Sequence, residues 1–214
     1  MAYPTTGVLD PFTYSDGALQ TVSSGAWQIN PFNDGASDGV SVSSNAVRPT
    51  VTPGGVGMAW YDAVAYGPDQ EAHYTVSTVG GYFGIYVCVQ QPSAGSATGD
   101  GYLIEIEDVN LSFYRFDNAV ATGIGAGPQT VTALASGDGF GVLRSGSTIQ
   151  AYRRSSGVWG TYGTSVSDAT YAGGKLGFVM AEDFARPVID NYGGGNIITA
   201  GTRRRRRMRM GMGR

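Results

Sequence analysis

The chain has 214 residues, 34 of them Gly, with 42% hydrophobic and 14% charged residues. That is enough apolar material for one large core and too little charge for a disordered polymer. The lone Cys88 excludes an internal disulfide and a multi-cysteine zinc site, and reads as a small buried strand residue. No run of about 18 apolar residues offers a membrane helix. The opening MAYPTTGVLDPFTYSDG shows neither the basic nor the apolar region of a secretory signal.

Charge is unevenly placed. Seven of the 14 Lys and Arg fall in the last twelve residues, and all 17 Asp and Glu precede them. The formal net charge of −3 therefore conceals a body of −10 and a tail of +7.

In chain order, residues 1–7 are expected to form an arm. VLDPFTYSDGALQ and AWQI offer two strands around an Asp-Gly turn, and Val40 to Val42 offers a short one. Gly57 to Tyr66 carries Met58, Trp60 and Tyr61. The centre of the chain runs from Tyr66 to Phe116. There Ala72, Tyr74 and Val76 alternate with His73, Thr75 and Ser77. Phe83, Ile85, Val87 and Val89 alternate with Gly84, Tyr86, Cys88 and Gln90. Tyr102, Ile104 and Ile106 alternate with Leu103, Glu105 and Glu107. Period-two patterning puts the first set of each pair on a buried face and the second on a wetter one.

Residues 119–129 read as a flexible connection, and Thr130 to Ala135 as a strand. GFGVLRSGSTIQAYRR reads as a hairpin turning at Ser145-Gly146-Ser147. SSGVWGTYGTSVSDATYAGG reads as loop-rich, and KLGFVMAED as a strand with Leu176, Phe178 and Met180 on one side. Val188 to Tyr192 closes the domain, and Gly193-Gly194-Gly195 begins the passage to the tail. No segment keeps a helical period. The expected class is all-β: a two-sheet antiparallel jelly-roll sandwich over residues 8–195, with a linker and a disordered or extended basic tail over 196–214.

The order of segments resembles the concanavalin A-like lectin/glucanase superfamily, close to its laminin-G-like modules. The carrying pieces are VLDPFTYSDGAL, AYGPDQEAHYTV, GYLIEIEDVNLSFYRF, GSTIQAYRR, SDATYAGGKLGFVM and VIDNYGG. The resemblance implies two curved antiparallel sheets with the last strand near the first. It leaves function open, since such modules occur in secreted glycan-active proteins and in bacteriophage virions.

Laminarinase-type glucanases of this fold carry a Glu-x-Asp-x-x-Glu or Glu-x-Asp-x-Glu strand. Here Glu105-Ile106-Glu107-Asp108-Val109-Asn110 puts the third acidic position on Val109 or Asn110, removing one carboxylate of the set. Glu105 and Glu107 thus read as a solvated strand face, and no catalytic residue is assigned. His73, the only histidine, reads as a partly exposed strand residue. Trp159 and Tyr162, taken as loop aromatics, are the glycan-binding candidates, because flat rings with polar edges suit stacking on pyranoses. Trp27 and Trp60 read as core. The resemblance also implies a structural calcium near the joined termini, for which Asp10 and Asp190 are the candidate ligands; no other cofactor is expected. Arg203, Arg204, Arg205, Arg206, Arg207, Arg209 and Arg214 are the partner-binding candidates, able to grip phosphates or carboxylates.

The reading that follows is a non-catalytic attachment or structural module. A bacteriophage virion surface protein, such as a capsid decoration or appendage, is expected, anchored partly by its basic tail. Its expected partners are virion proteins or further copies of itself, with a polyanion or nucleic acid on the tail and no membrane. The location would be the virion, or the host cytoplasm before assembly. The alternative is a carbohydrate-binding, lectin-like module, and behind it a divergent glycoside hydrolase or lyase.

Overall fold

The structure, a computed structural model, describes residues 3–29, 37–50, 56–90, 99–182 and 185–197. The arginines from Arg203 to Arg214 lie outside the described residues. The chain begins with β1 (Val8–Asp10), β2 (Gly17–Ala18), the single-turn α1 (Leu19–Val22) and β3 (Trp27–Ile29). Next come β4 (Ser37–Asp38), β5 (Val40–Ser43), β6 (Ala46–Pro49) and β7 (Val56–Tyr61). The long central strands are β8 (Gln70–Thr78), β9 (Gly81–Gln90), β10 (Asp100–Glu107) and β11 (Asn110–Asp117). They are followed by β12 (Val120–Gly123), β13 (Gln129–Thr130), β14 (Gly139–Ser145) and β15 (Thr148–Ser155). The last three are β16 (Val158–Ser167), β17 (Lys175–Glu182) and β18 (Val188–Asn196).

These strands make two sheets. The first runs β16-β15-β14-β8-β18-β6-β5-β2, with β1 also on β18; the second runs β12-β11-β10-β9-β17-β7-β3, with β13 on β11 and β4 on β7. Every pairing is antiparallel except the short β4–β7 contact. As expected, the first strand meets the last, Val8 opposite Gly193 and Asp10 opposite Tyr192.

The core lies between the sheets. Tyr74, Phe140, Ile149 and Ile189 face Phe83, Ile85, Ile104, Ile106, Phe178 and Met180, all buried. Each sits at every second position of its strand, as the alternation requires. Cys88 interrupts β9 with φ 56°, and the register slips against both β10 and β17 beside it. The buried Gln70 side chain repairs the break: its oxygen accepts Cys88 N–H at 2.9 Å, and its nitrogen donates to the Gly174 and Tyr66 carbonyls. A buried backbone donor left without a partner would cost about 1–3 kcal/mol.

Four local expectations change. The segment around Trp159 is the strand β16, held by β15 in a register that puts Ala151 opposite Tyr162 and Arg154 opposite Trp159. Part of the supposed flexible connection is the exposed edge strand β12, paired with the end of β11. The strand expected over Thr130 to Ala135 ends at Thr130, because Asp138 accepts the Ala135 N–H and turns the chain. Gly193-Gly194-Gly195 does not leave the domain but pairs with His73, Ala72 and Glu71 inside β18. A Cβ on Gly193 would fall 1.8 Å from the His73 ring, so glycine there is what lets the imidazole lie on the strand.

Candidate functional site on the second sheet

The second sheet is apolar on both faces. Opposite the core, Met58, Tyr86, Val89, Leu103 and Val179 form a second buried cluster, with Tyr82, Tyr114 and Phe116 half-buried around it. A face turned away from the core has no packing duty in one domain, so a contiguous apolar and aromatic patch there is a candidate binding surface. Met58, Tyr82, Tyr86, Leu103, Tyr114 and Phe116 line a groove of about 200 Å³ together with Glu105, Ala119 and Ala121.

Each wall follows from strand register. Glu105 of β10 stands opposite Gly84 of β9 and Ser112 of β11, while Leu103 stands between Tyr86 and Tyr114. Tyr86 is the floor: its hydroxyl lies 3.4 Å from Met58 Sδ, and its ring meets Phe116 edge-on at 6.2 Å. Burial raises the pKa of Glu105; a hydrogen bond from Tyr114 opposes this, and the charge of Glu107 adds to it. A carboxylate so placed is a hydrogen-bond acceptor among rings, the mixture that fixes a hydroxyl-rich ligand lying on aromatic faces.

Glu105 lines the groove, whereas Glu107, two residues along β10, is not among its lining residues. Glu107 is exposed at the end of β10, and Asp108, with φ 51°, turns the chain directly into β11. The strand therefore stops before a third carboxylate could join the same face, and Asn110 pairs with Glu107 instead.

The residues singled out in the sequence scatter. Tyr162 faces the core at 5% exposure, donates its hydroxyl to the Thr132 carbonyl and packs edge-on to Phe140, so it offers no open ring to a sugar. Trp159 stays half-buried on the opposite face of β16 and lines a pocket of the first sheet. Trp27 and Trp60 are buried. His73 is buried rather than partly exposed, because residues 3–6 cross the outer face of β8. Tyr3 donates to the Ala72 carbonyl at 2.8 Å, and Thr5 and Thr6 donate backbone N–H groups to Glu71 at 2.6 and 2.5 Å.

The expected calcium ligands do not fit a calcium site. Asp10 is buried, and its oxygens accept from Phe12 N–H, the Tyr14 hydroxyl and the Trp27 indole, each at 2.7 Å. It is a lock between the first turn and the core. Asp190 accepts from the backbone and side-chain nitrogens of Asn191. No group of three or more His, Cys, Asp or Glu among the described residues is placed to hold a metal ion.

The groove was legible in part. Tyr86 and Leu103 occupy alternate positions that the pattern assigned to a wetter face, while Tyr82, Tyr114 and Phe116 were given no face; apolar residues on both faces of adjacent strands were the signal.

No protein-family model and no curated protein sequence matches the chain. Solved structures do. The carbohydrate-binding module CBM66 of Bacillus subtilis superposes with a TM-score of 0.57 at 14% identity, covering 80% of this chain and 96% of that one. The carbohydrate recognition domain of Emp46p gives 0.58 at 11% identity, covering 90% and 97%. The VIP36 exoplasmic/lumenal domain in its Ca²⁺/Man3GlcNAc-bound form gives 0.58 at 12%, covering 84% and 87%. With the two sheets, the joined terminal strands and these superpositions, the chain has the concanavalin A-like jelly-roll β-sandwich fold.

Proposed function

We propose that the protein is a non-catalytic carbohydrate-binding module that holds a neutral glycan in the outer groove of its second sheet. The observation that carries this reading is the ring of Tyr82, Tyr114 and Phe116 around the half-buried Glu105. Tyrosine and phenylalanine faces stack on the C–H faces of pyranose rings, and the carboxylate accepts from sugar hydroxyls. Glu105 gives the floor negative character, which favours neutral over acidic sugars. Support also comes from relatives in fold that their structures describe as carbohydrate-binding modules or carbohydrate recognition domains.

The test is affinity electrophoresis and calorimetry against neutral polysaccharides, with reducing-sugar release measured alongside. Retention that is lost in Tyr114→Ala, without sugar release, is the expected result. Release of reducing ends that disappears in Glu105→Gln would instead make the groove a hydrolase cleft.

Attachment to a virion is the second reading. It draws on the partition of the chain into an acidic body and a tail of seven arginines, which gives a particle-bound module a place to anchor. Mass spectrometry of purified particles would test it directly.

A further inference from the structure

The outer face of the first sheet carries a second aromatic and polar cluster, remote from the groove because the core lies between the two sheets. Glycines make room for it. A Cβ on Gly139 would fall 2.6 Å from the Trp159 ring, and one on Gly141 would collide with Tyr3. Tyr3 stacks on Tyr152 with centroids 3.9 Å apart and meets Trp159 edge-on at 5.0 Å. These contacts fix the Trp159 ring against the sheet. Beside it lies a small cavity of about 100 Å³, lined by His73, Thr75, Arg154, Trp159, Asn191 and Pro4 among others.

Two features beside that cavity are left incomplete by the fold. Arg154 makes no ion pair with a carboxylate among the described residues; its guanidinium lies 5.6 Å from the Trp159 ring centroid and donates to Thr75 Oγ1 at 3.0 Å. His73, only 7% exposed, keeps a buried Nδ1 with no hydrogen-bond partner. Buried polar atoms are satisfied in the great majority of cases, so an orphan beside a cavity and a cation points to a missing ligand.

We propose that this cavity is an anion subsite that takes the carboxylate of a uronic-acid sugar, with the sugar ring outside it against Trp159 and the exposed Val8. The volume suits a carboxylate and is too small for a hexose. The charge suits it too: one guanidinium matches one negative charge, whereas a phosphate dianion would face a single cation on a body of net charge −10. Arg154 supplies a planar pair of donors, the geometry that carboxylates accept bidentately. Burial, with the Arg154 charge as the smaller contributor, lowers the His73 pKa to about 4, leaving its imidazole neutral and able to serve the ligand as a hydrogen-bonding group near pH 7. The site is independent of the neutral-glycan groove, so a protein with both would hold a mixed polysaccharide from two faces.

Trp27 and Trp60 are 0% and 2% exposed, which leaves Trp159 as the indole that reports on a ligand by fluorescence. The experiment titrates the full chain with oligogalacturonate, its methyl ester and acetate, following that signal. The expected outcome is a saturable change with oligogalacturonate and at least tenfold weaker binding of the ester and of acetate. Arg154→Gln, checked for an unchanged thermal midpoint, should remove the response, and Tyr114→Ala should leave it intact. Equal binding of the methyl ester, equal binding of acetate, or an undiminished response in a folded Arg154→Gln protein would each overturn the proposal. So would loss of the signal in Tyr114→Ala, which would move the acidic sugar into the groove. If Arg154→Gln fails to fold, Arg154→Lys serves in its place: it keeps the charge but not the fork, and unchanged affinity there would count equally against the site.

Discussion

Gly84 and Glu105 stand directly opposite each other on β9 and β10, and the missing side chain of the one opens the groove that holds the other. A Cβ at Gly84 would lie 2.6 Å from both Leu103 Cδ1 and Val179 Cγ1, and 3.4 Å from Glu105 Cβ. Gly84→Val should therefore push Leu103 and Val179 into the groove. Overpacking of this kind costs about 1–3 kcal/mol. Neutral-glycan affinity should fall at least tenfold while the fold survives, read by calorimetry beside a thermal melt; unchanged affinity would place the ligand elsewhere.

Ile104, one residue before Glu105, points the other way and is fully buried. Ile104→Ala should cost about 2–5 kcal/mol in a denaturant titration, with glycan affinity in the folded protein little changed. An unshifted unfolding midpoint would contradict the inward assignment.

The two faces should respond to pH with opposite sign. The Glu105 pKa is raised by burial, so between the ordinary glutamate value of about 4.3 and its folded value the native state holds more protons than the unfolded one. Its contribution to stability is greatest below that window and declines as pH rises through it. Glu105→Gln should thus stabilise the protein at neutral pH, an advantage that vanishes below about pH 4.

His73 behaves conversely. With its pKa lowered from 6.5 to about 4, the unfolded state binds the extra proton between those values, and stability falls as pH drops through the window. His73→Gln should flatten the stability profile there. A profile identical to that of the parent chain would show that the imidazole titrates normally.

Deleting Arg203 to Arg214 should leave the thermal midpoint of the sandwich nearly unchanged, since every described core residue precedes the tail. Pull-downs on particles and on nucleic acid across a salt series should show weaker, less salt-sensitive binding by the truncated chain, because exposed charges are screened beyond roughly 8 Å at physiological ionic strength. Equal attachment of both forms at low salt would remove the tail from the binding reaction.

The sequence by itself determined the all-β class and the inward set of Phe83, Ile85, Ile104 and Phe178. These follow from period-two alternation, which is local and survives without knowledge of neighbours; the meeting of the terminal strands was implied only by the resemblance in segment order. The charge partition was equally plain, being a matter of counting. Only the tertiary structure decided what the other face of each strand does. Tyr86, Leu103 and Tyr114 are adjacent because three strands align in one register, and no single strand carries that register. Tyr162 and Trp159 looked equivalent as aromatics among glycines, yet pairing with β15 sends one into the core and the other outward. Asp10 resembled a metal ligand until Trp27 and Tyr14 were brought to it from later in the chain. His73 is buried by residues 3–6, nearly seventy positions away in sequence, and a contact of that separation is written only in the fold.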